Sequence, residues 1–138
     1  MKVKTILIVT TIIIFSSCQT GPYRIKQTER SGYMPRAIIN IQEKNHIFSN
    51  DIISIMIYSR SEYFATPSNY SFIAYDSAGN IITRRRGGSN MRYNQTLNQW
   101  EGFTSLAIPD INNYLPISLH ITSVIDSSRN SVYTINQR

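Results

Sequence analysis

Along most of this chain, apolar side chains recur at every second position, and that period restricts the fold to strands. Ile53, Ile55 and Ile57 fall on one side of the segment 51–58, with Ile52, Ser54, Met56 and Tyr58 on the other. Ile117, Leu119, Ile121 and Ser123 alternate in the same way against Ser118, His120, Thr122 and Val124. A strand sends successive side chains to opposite faces, so each pattern describes a strand with one buried face. Residues 37–42 open the series, and 70–75 are aromatic and rich in strand formers. The turn cluster Asp76-Ser77-Ala78-Gly79-Asn80 joins them to Ile81-Ile82-Thr83 as a hairpin. Residues 91–93 read as a short strand. The segment 99–108 carries Trp100, Phe103, Leu106 and Ile108, which fit a core strand. Asp126 to Asn130 turns the chain, and 131–136 closes it. Beyond the first 20 residues no helical stripe appears, apart from one helical turn expected at 110–114.

About seven or eight short strands at these spacings predict an all-β domain over residues 36–138. The expected architecture is a small antiparallel β-sandwich, immunoglobulin-like or transthyretin-like in outline; a small β-barrel is the alternative. The cysteine–tryptophan–cysteine signature of immunoglobulin domains is absent. A length of 138 residues fits one domain, and a hydrophobic share of 41% is enough for a core. There is one cysteine, which excludes an intramolecular disulfide and a cysteine-rich metal site. The apolar core must therefore hold the domain alone.

That cysteine stands in a distinctive place. Lys2 and Lys4 precede an uncharged, mostly apolar run from Thr5 to Phe15, and Ser16-Ser17-Cys18 follows. A positive start, an apolar centre and small residues form the three-part layout of a secretory signal. Eleven residues are too few to span a hydrocarbon core as a helix, which takes about 20. Phe15-Ser16-Ser17-Cys18 resembles the lipobox of bacterial lipoproteins, with Phe15 departing from the usual Leu. The resemblance covers about the first 20 residues. It implies that residues 1–17 are removed as a signal peptide and that the Cys18 thiol carries a diacylglycerol, its amino group often a further acyl chain. One acyl chain holds a protein only marginally, whereas two or three anchor it durably. The resemblance thus places the protein in the cell envelope. Gln19, where an Asp would favour inner-membrane retention in enteric-type bacteria, leans toward the outer membrane.

Removing 17 of 138 residues leaves 121, and losing Lys2 and Lys4 lowers the net charge from +6 to +4. Residues 18–35 hold Gly21, Pro22, Gly32 and Pro35 among Arg24, Lys26, Glu29 and Arg30, with no apolar period. They are expected as the lipidated N-terminus and a flexible tether of about 17 residues, reaching ~55–60 Å when fully extended.

The sharpest local feature is Arg84-Arg85-Arg86-Gly87-Gly88. In a strand with one buried face, Arg85 would point inward if Arg84 and Arg86 pointed out, and burying an unpaired charge is costly. The strand is therefore expected to end near Thr83, or to be an edge strand protected by charge. Arg84, Arg85 and Arg86 are candidates for anion or partner binding; solvated positive charge is the plainer account. Tyr63 and Phe64, in a connection, are candidates for a partner-binding loop, or else cover one end of the sandwich.

No catalytic set assembles. His46 and His120 lie far apart, acidic residues number 8, and neither HExxH nor GxSxG occurs. No metal site, cofactor or nucleic-acid partner is expected. The leading expectation is a membrane-anchored, non-enzymatic envelope protein that binds another protein. A surface adhesin or polyanion binder using Arg84 to Arg86, and an inhibitor or ligand-sequestering protein, are the alternatives.

Overall fold

The structure is a computed structural model that describes residues 21–47 and 49–138. The signal segment 1–17 and Cys18 lie outside the described residues. Among those described, nine strands form two antiparallel sheets. They are β1 (Tyr23–Ser31), β2 (Arg36–Gln42), β3 (Asp51–Ser59), β4 (Tyr70–Tyr75), β5 (Ile81–Arg86), β6 (Met91–Asn94), β7 (Gln99–Ile108), β8 (Ile117–Ser123) and β9 (Asn130–Gln137). One sheet has the order β1-β9-β8-β4-β5, the other β2-β3-β7-β6. The strands pair as the hairpins β2–β3, β4–β5, β6–β7 and β8–β9, and every connection between hairpins changes sheet. Each sheet keeps two edges, so this is a β-sandwich and not a closed barrel.

The inner faces carry the expected alternation. Ile53, Ile55 and Ile57 of β3 are buried, and so are Ile117, Leu119 and Ile121 of β8. They meet Phe72, Ala74, Leu106, Ile108, Tyr133 and Ile135 in one continuous core. Each buried Ile, Leu or Phe side chain contributes roughly 1.5–3 kcal/mol, so this layer supplies the driving force.

Two expectations are corrected. Residues 18–35 do not all form a tether, because Tyr23–Ser31 is strand β1, paired along β9 from Tyr23↔Gln137 to Ser31↔Asn130. Only Tyr23 of this strand is buried. As an edge strand it draws on backbone pairing more than on apolar burial, so its sequence carries no alternation. Its Arg24, Lys26, Glu29 and Arg30 protect the edge from pairing with another chain. Trp100 and Phe103 are also not in the core; both are half-buried. The β3–β7 register places Gly102, Thr104, Leu106 and Ile108 opposite inward-facing residues of β3. Phe103 therefore points outward, and Trp100, at the sheet margin, packs edge-on against Tyr93 at 5.2 Å.

Two ends of the sandwich matter for function. At the near end, where β1 begins, the Arg138 backbone N–H donates to the Pro22 carbonyl at 3.0 Å. The connections 43–50, 76–80 and 109–116 gather there. At the far end lie 32–35, 60–69, 95–98 and 124–129.

Candidate functional site

The far end brings together residues that are scattered in sequence. Arg30 is the penultimate residue of β1, Tyr33 lies in the connection to β2, Arg36 at the start of β2, and Tyr58 and Arg60 where β3 finishes. With Phe64 and Gln99 they line a cavity of about 790 Å³ whose floor includes the buried Met34. Phe64 belongs to α1 (Glu62–Ala65), a single helical turn in the crossing from β3 to β4. The Tyr33 and Phe64 rings lie 4.5 Å apart and tilted, and Tyr63 meets Phe64 edge-on at 5.3 Å. The Arg129 guanidinium sits 5.7 Å from the Phe64 ring centroid, within range of a cation–π contact.

Backbone anchoring holds this aromatic group in place. Tyr70 donates its hydroxyl to the Phe64 carbonyl at 2.8 Å, and Asn69 donates its amide to the Tyr63 carbonyl at 2.8 Å. Burial pushes the Tyr70 hydroxyl up to about 12, so it remains a donor throughout the physiological range. Gly102 is needed beneath α1, because a Cβ there would stand 1.9 Å from the Ala65 carbonyl oxygen. Gly32, at φ +66°, makes the turn from β1 toward Tyr33 and lets the Arg129 side chain pass close over it.

The far end is basic in a specific way. Among the described residues the ion pairs are Lys44–Asp110, Arg92–Glu101 and Arg129–Asp126. Arg30, Arg36 and Arg60 belong to none of them and are exposed. Arg30 donates to the Met34 carbonyl at 2.7 Å, which fixes its stem and leaves its other N–H groups open. Beside the cavity, the Arg92 Nε donates to Glu101 at 2.7 Å, with Asn94 and Gln99 also donating to that carboxylate. The hydrogen bond from Arg92 is the main reason the buried Glu101 carboxyl sits below the usual carboxylate range. Arg92 also lies 5.0 Å from the Phe103 ring.

Tyr63 and Phe64, singled out from sequence, are thus part of this end. Arg84, Arg85 and Arg86 are not on a loop: they complete β5, an edge strand, and all three are exposed. Arg85 pairs with Phe72 and so points to the inner side, where the open rim lets its guanidinium reach the Ser105 carbonyl of β7 at 3.3 Å. Arg86 donates to the Ser68 carbonyl at 3.1 Å. Two of the three guanidiniums therefore already tie elements together. Arg85 also borders a shallow groove of about 680 Å³ on the outer face of the four-stranded sheet, lined by Ile38, Asn40, Met56 and Phe103. Arg30, Arg36 and Arg60 carried no sequence signal of proximity; only the topology joins them.

The near end is structural. Asp51, buried, accepts backbone N–H groups of Lys44 and Ile111 at 2.8 Å each and so joins two connections. Burial first, and then the hydrogen bond to Glu43, push the Tyr23 hydroxyl up to about 12. His120 stacks edge-on with Tyr75 at 4.7 Å, and burial lowers its pKa. Among the described residues no group of three or more His, Cys, Asp or Glu side chains is placed to hold a metal ion. No helix of these residues is long and apolar enough to cross a membrane.

The far-end cavity offers forked guanidinium donors and aromatic faces, with no carboxylate, imidazole or thiol in its lining. Such a set can grip carboxylates bidentately and cover apolar surface. Comparison with protein-family models, with curated proteins and with solved structures finds no match.

Proposed function

We propose that this chain is a lipid-anchored lipoprotein of the bacterial cell envelope whose β-sandwich binds another protein and performs no catalysis. The lipobox-like Phe15-Ser16-Ser17-Cys18 supports the anchor. The observation that carries the binding role is the far-end cavity, which joins three arginines, in no ion pair among the described residues, to the rings of Tyr33, Tyr58 and Phe64. Arginine and tyrosine are the residue types that dominate binding energy at protein interfaces. The outer membrane is the favoured location, since Gln19 and not Asp follows Cys18.

The correction to the tether sharpens the arrangement. From Cys18 to Tyr23 there are five residue steps, which reach at most ~18 Å. A domain so attached rides close to the bilayer, near end down. Crosslinking in intact cells followed by mass spectrometry tests the role: a discrete envelope protein is expected as the adduct under more than one crosslinking chemistry. Recovery of none would overturn it.

A further inference from the structure

We infer that the far end of the sandwich is a docking face for an acidic polypeptide segment, gripped by Arg30, Arg36 and Arg60 with Tyr33 and Tyr63 beside them. This deepens the protein-binding role proposed above and rests on it.

Two independent observations meet at this face. The first is charge. Arg30, Arg36 and Arg60 line one cavity and, among the described residues, belong to no ion pair; the exposed carboxylates of this end, Glu62 and Asp126, lie outside that lining, and Asp126 is paired with Arg129, while the near-end cavity holds three carboxylates, Glu43, Asp51 and Asp110, against Lys44. The second is apolar exposure. Six of the nine large apolar side chains exposed among the described residues lie in the elements that meet at this end: Tyr33, Tyr63, Tyr93, Leu97, Val124 and Ile125. Ile125 is 70% exposed and Leu97 61%. Leaving such side chains in water brings the folded monomer no benefit; Tyr33 lines the arginine cavity itself and the others stand on the connections of the same end, so that the end as a whole has the composition of an interface.

The mixture selects the occupant. A sulfated or phosphorylated glycan would satisfy the arginines but gives Leu97, Val124 and Ile125 little to cover. A polypeptide offers both carboxylates and apolar side chains. A bilayer offers both as well, but the anchoring geometry disfavours it. From Tyr23 to Ser31 β1 rises about 27 Å. The link from Cys18 reaches at most ~18 Å. An upright domain therefore cannot invert to set its far end on the membrane that holds the near end, and with the near end down, as proposed above, the far end stands away from that membrane.

The test uses the full chain purified in detergent. A fluorescent glutamate–tyrosine random copolymer is titrated by anisotropy, with heparin and glycerophosphoglycerol, the soluble headgroup of phosphatidylglycerol, as competing probes. Copolymer binding is expected to weaken as NaCl rises. It is expected to fall by roughly tenfold or more in R30S/R36S/R60S. It is expected to survive in R84S/R85S/R86S, which loses the same charge, and Y33S should weaken it with no charge removed. Circular dichroism on each variant confirms folding, and the matched triple variant keeps the comparison valid if one arginine set perturbs the domain. Equal loss in both triple variants, unchanged binding in R30S/R36S/R60S, or tighter binding to heparin or to the headgroup would overturn the proposal. Acylation of Cys18 is measured on the same preparations by mass. An unlipidated chain that binds the copolymer removes the anchored reading alone; a lipidated chain that does not removes the docking face alone.

Discussion

Tyr33 and Phe64 lie with their rings 4.5 Å apart, although one belongs to the connection leaving β1 and the other to the helical turn between β3 and β4. Their contact ties the edge of the five-stranded sheet to the crossing from the four-stranded one, and Tyr63 and Arg129 complete the cluster around Phe64. Replacing Phe64 with Ala removes all three contacts at a half-buried site. A loss of about 1–2 kcal/mol is expected, less than the ~3–5 kcal/mol of a fully buried Phe. Urea unfolding measures it, and Phe64→Leu should retain most of the stability.

Glycine spacing beneath this cluster is stricter. A Cβ on Gly102 would stand 1.9 Å from the Ala65 carbonyl oxygen, and one on Gly87 2.2 Å from the Pro67 carbonyl oxygen. Both obstacles are backbone and cannot rotate away. Gly102→Ala and Gly87→Ala should each destabilise by more than about 2 kcal/mol, whereas Gly88→Ala, where the space is open, should stay within ~0.5 kcal/mol. Thermal melts of the three variants decide this.

Glu101 sets an acid limit. Its carboxyl is held below the ordinary 4.5, first by the hydrogen bond from Arg92. A lowered folded-state pKa means that the stabilisation is complete above about pH 4.5 and drains away as pH falls through the lower folded value. Glu101→Gln should cost about 1–3 kcal/mol at pH 7. It should also flatten the acid side of the stability curve, as read by denaturant midpoints between pH 3 and 7.

His120 gives a second, separate pH dependence. Burial lowers its folded pKa below 6.5, with Glu29 opposing the shift. Folding therefore favours the neutral ring: the stabilisation is complete above pH 6.5 and falls as pH drops toward the folded value, because the unfolded chain then binds the extra proton. His120→Gln should remove this decline without changing the Glu101 limb, and NMR titration of the ring should give a midpoint under 6.5.

The sandwich was legible from sequence wherever a strand has one apolar face. Ile53, Ile55 and Ile57, and Ile117, Leu119 and Ile121, announce both period and orientation. β1 was not legible, since only Tyr23 of its nine residues is buried, with Ile25 packed against the core's margin, and its stability comes mainly from pairing with β9. The inward face of β7 was misread for a related reason. Its inward position at 102 is Gly, so that Ala65 and Pro67 can pack there, while the aromatic Phe103 faces out. Arg85 was framed correctly as a conflict between alternation and charge; the edge position of β5 resolves it by letting the side chain leave through the rim to Ser105. Tyr63 and Phe64 drew notice as adjacent aromatics. Arg30, Arg36 and Arg60 did not, because two segments that meet only through the sheet topology carry them.

The anchor proposed at Cys18 orients everything proposed for the far end, so acylation of that residue is the most direct measurement. Cells expressing the full chain are fed an alkyne-tagged palmitate, and the protein is recovered and fractionated. The wild-type chain is expected to take up the label, to lose residues 1–17 and to pellet with membranes, while Cys18→Ser takes up none and keeps its leader. Label that persists in Cys18→Ser, or a wild-type chain that stays unlabelled and soluble, would contradict the account.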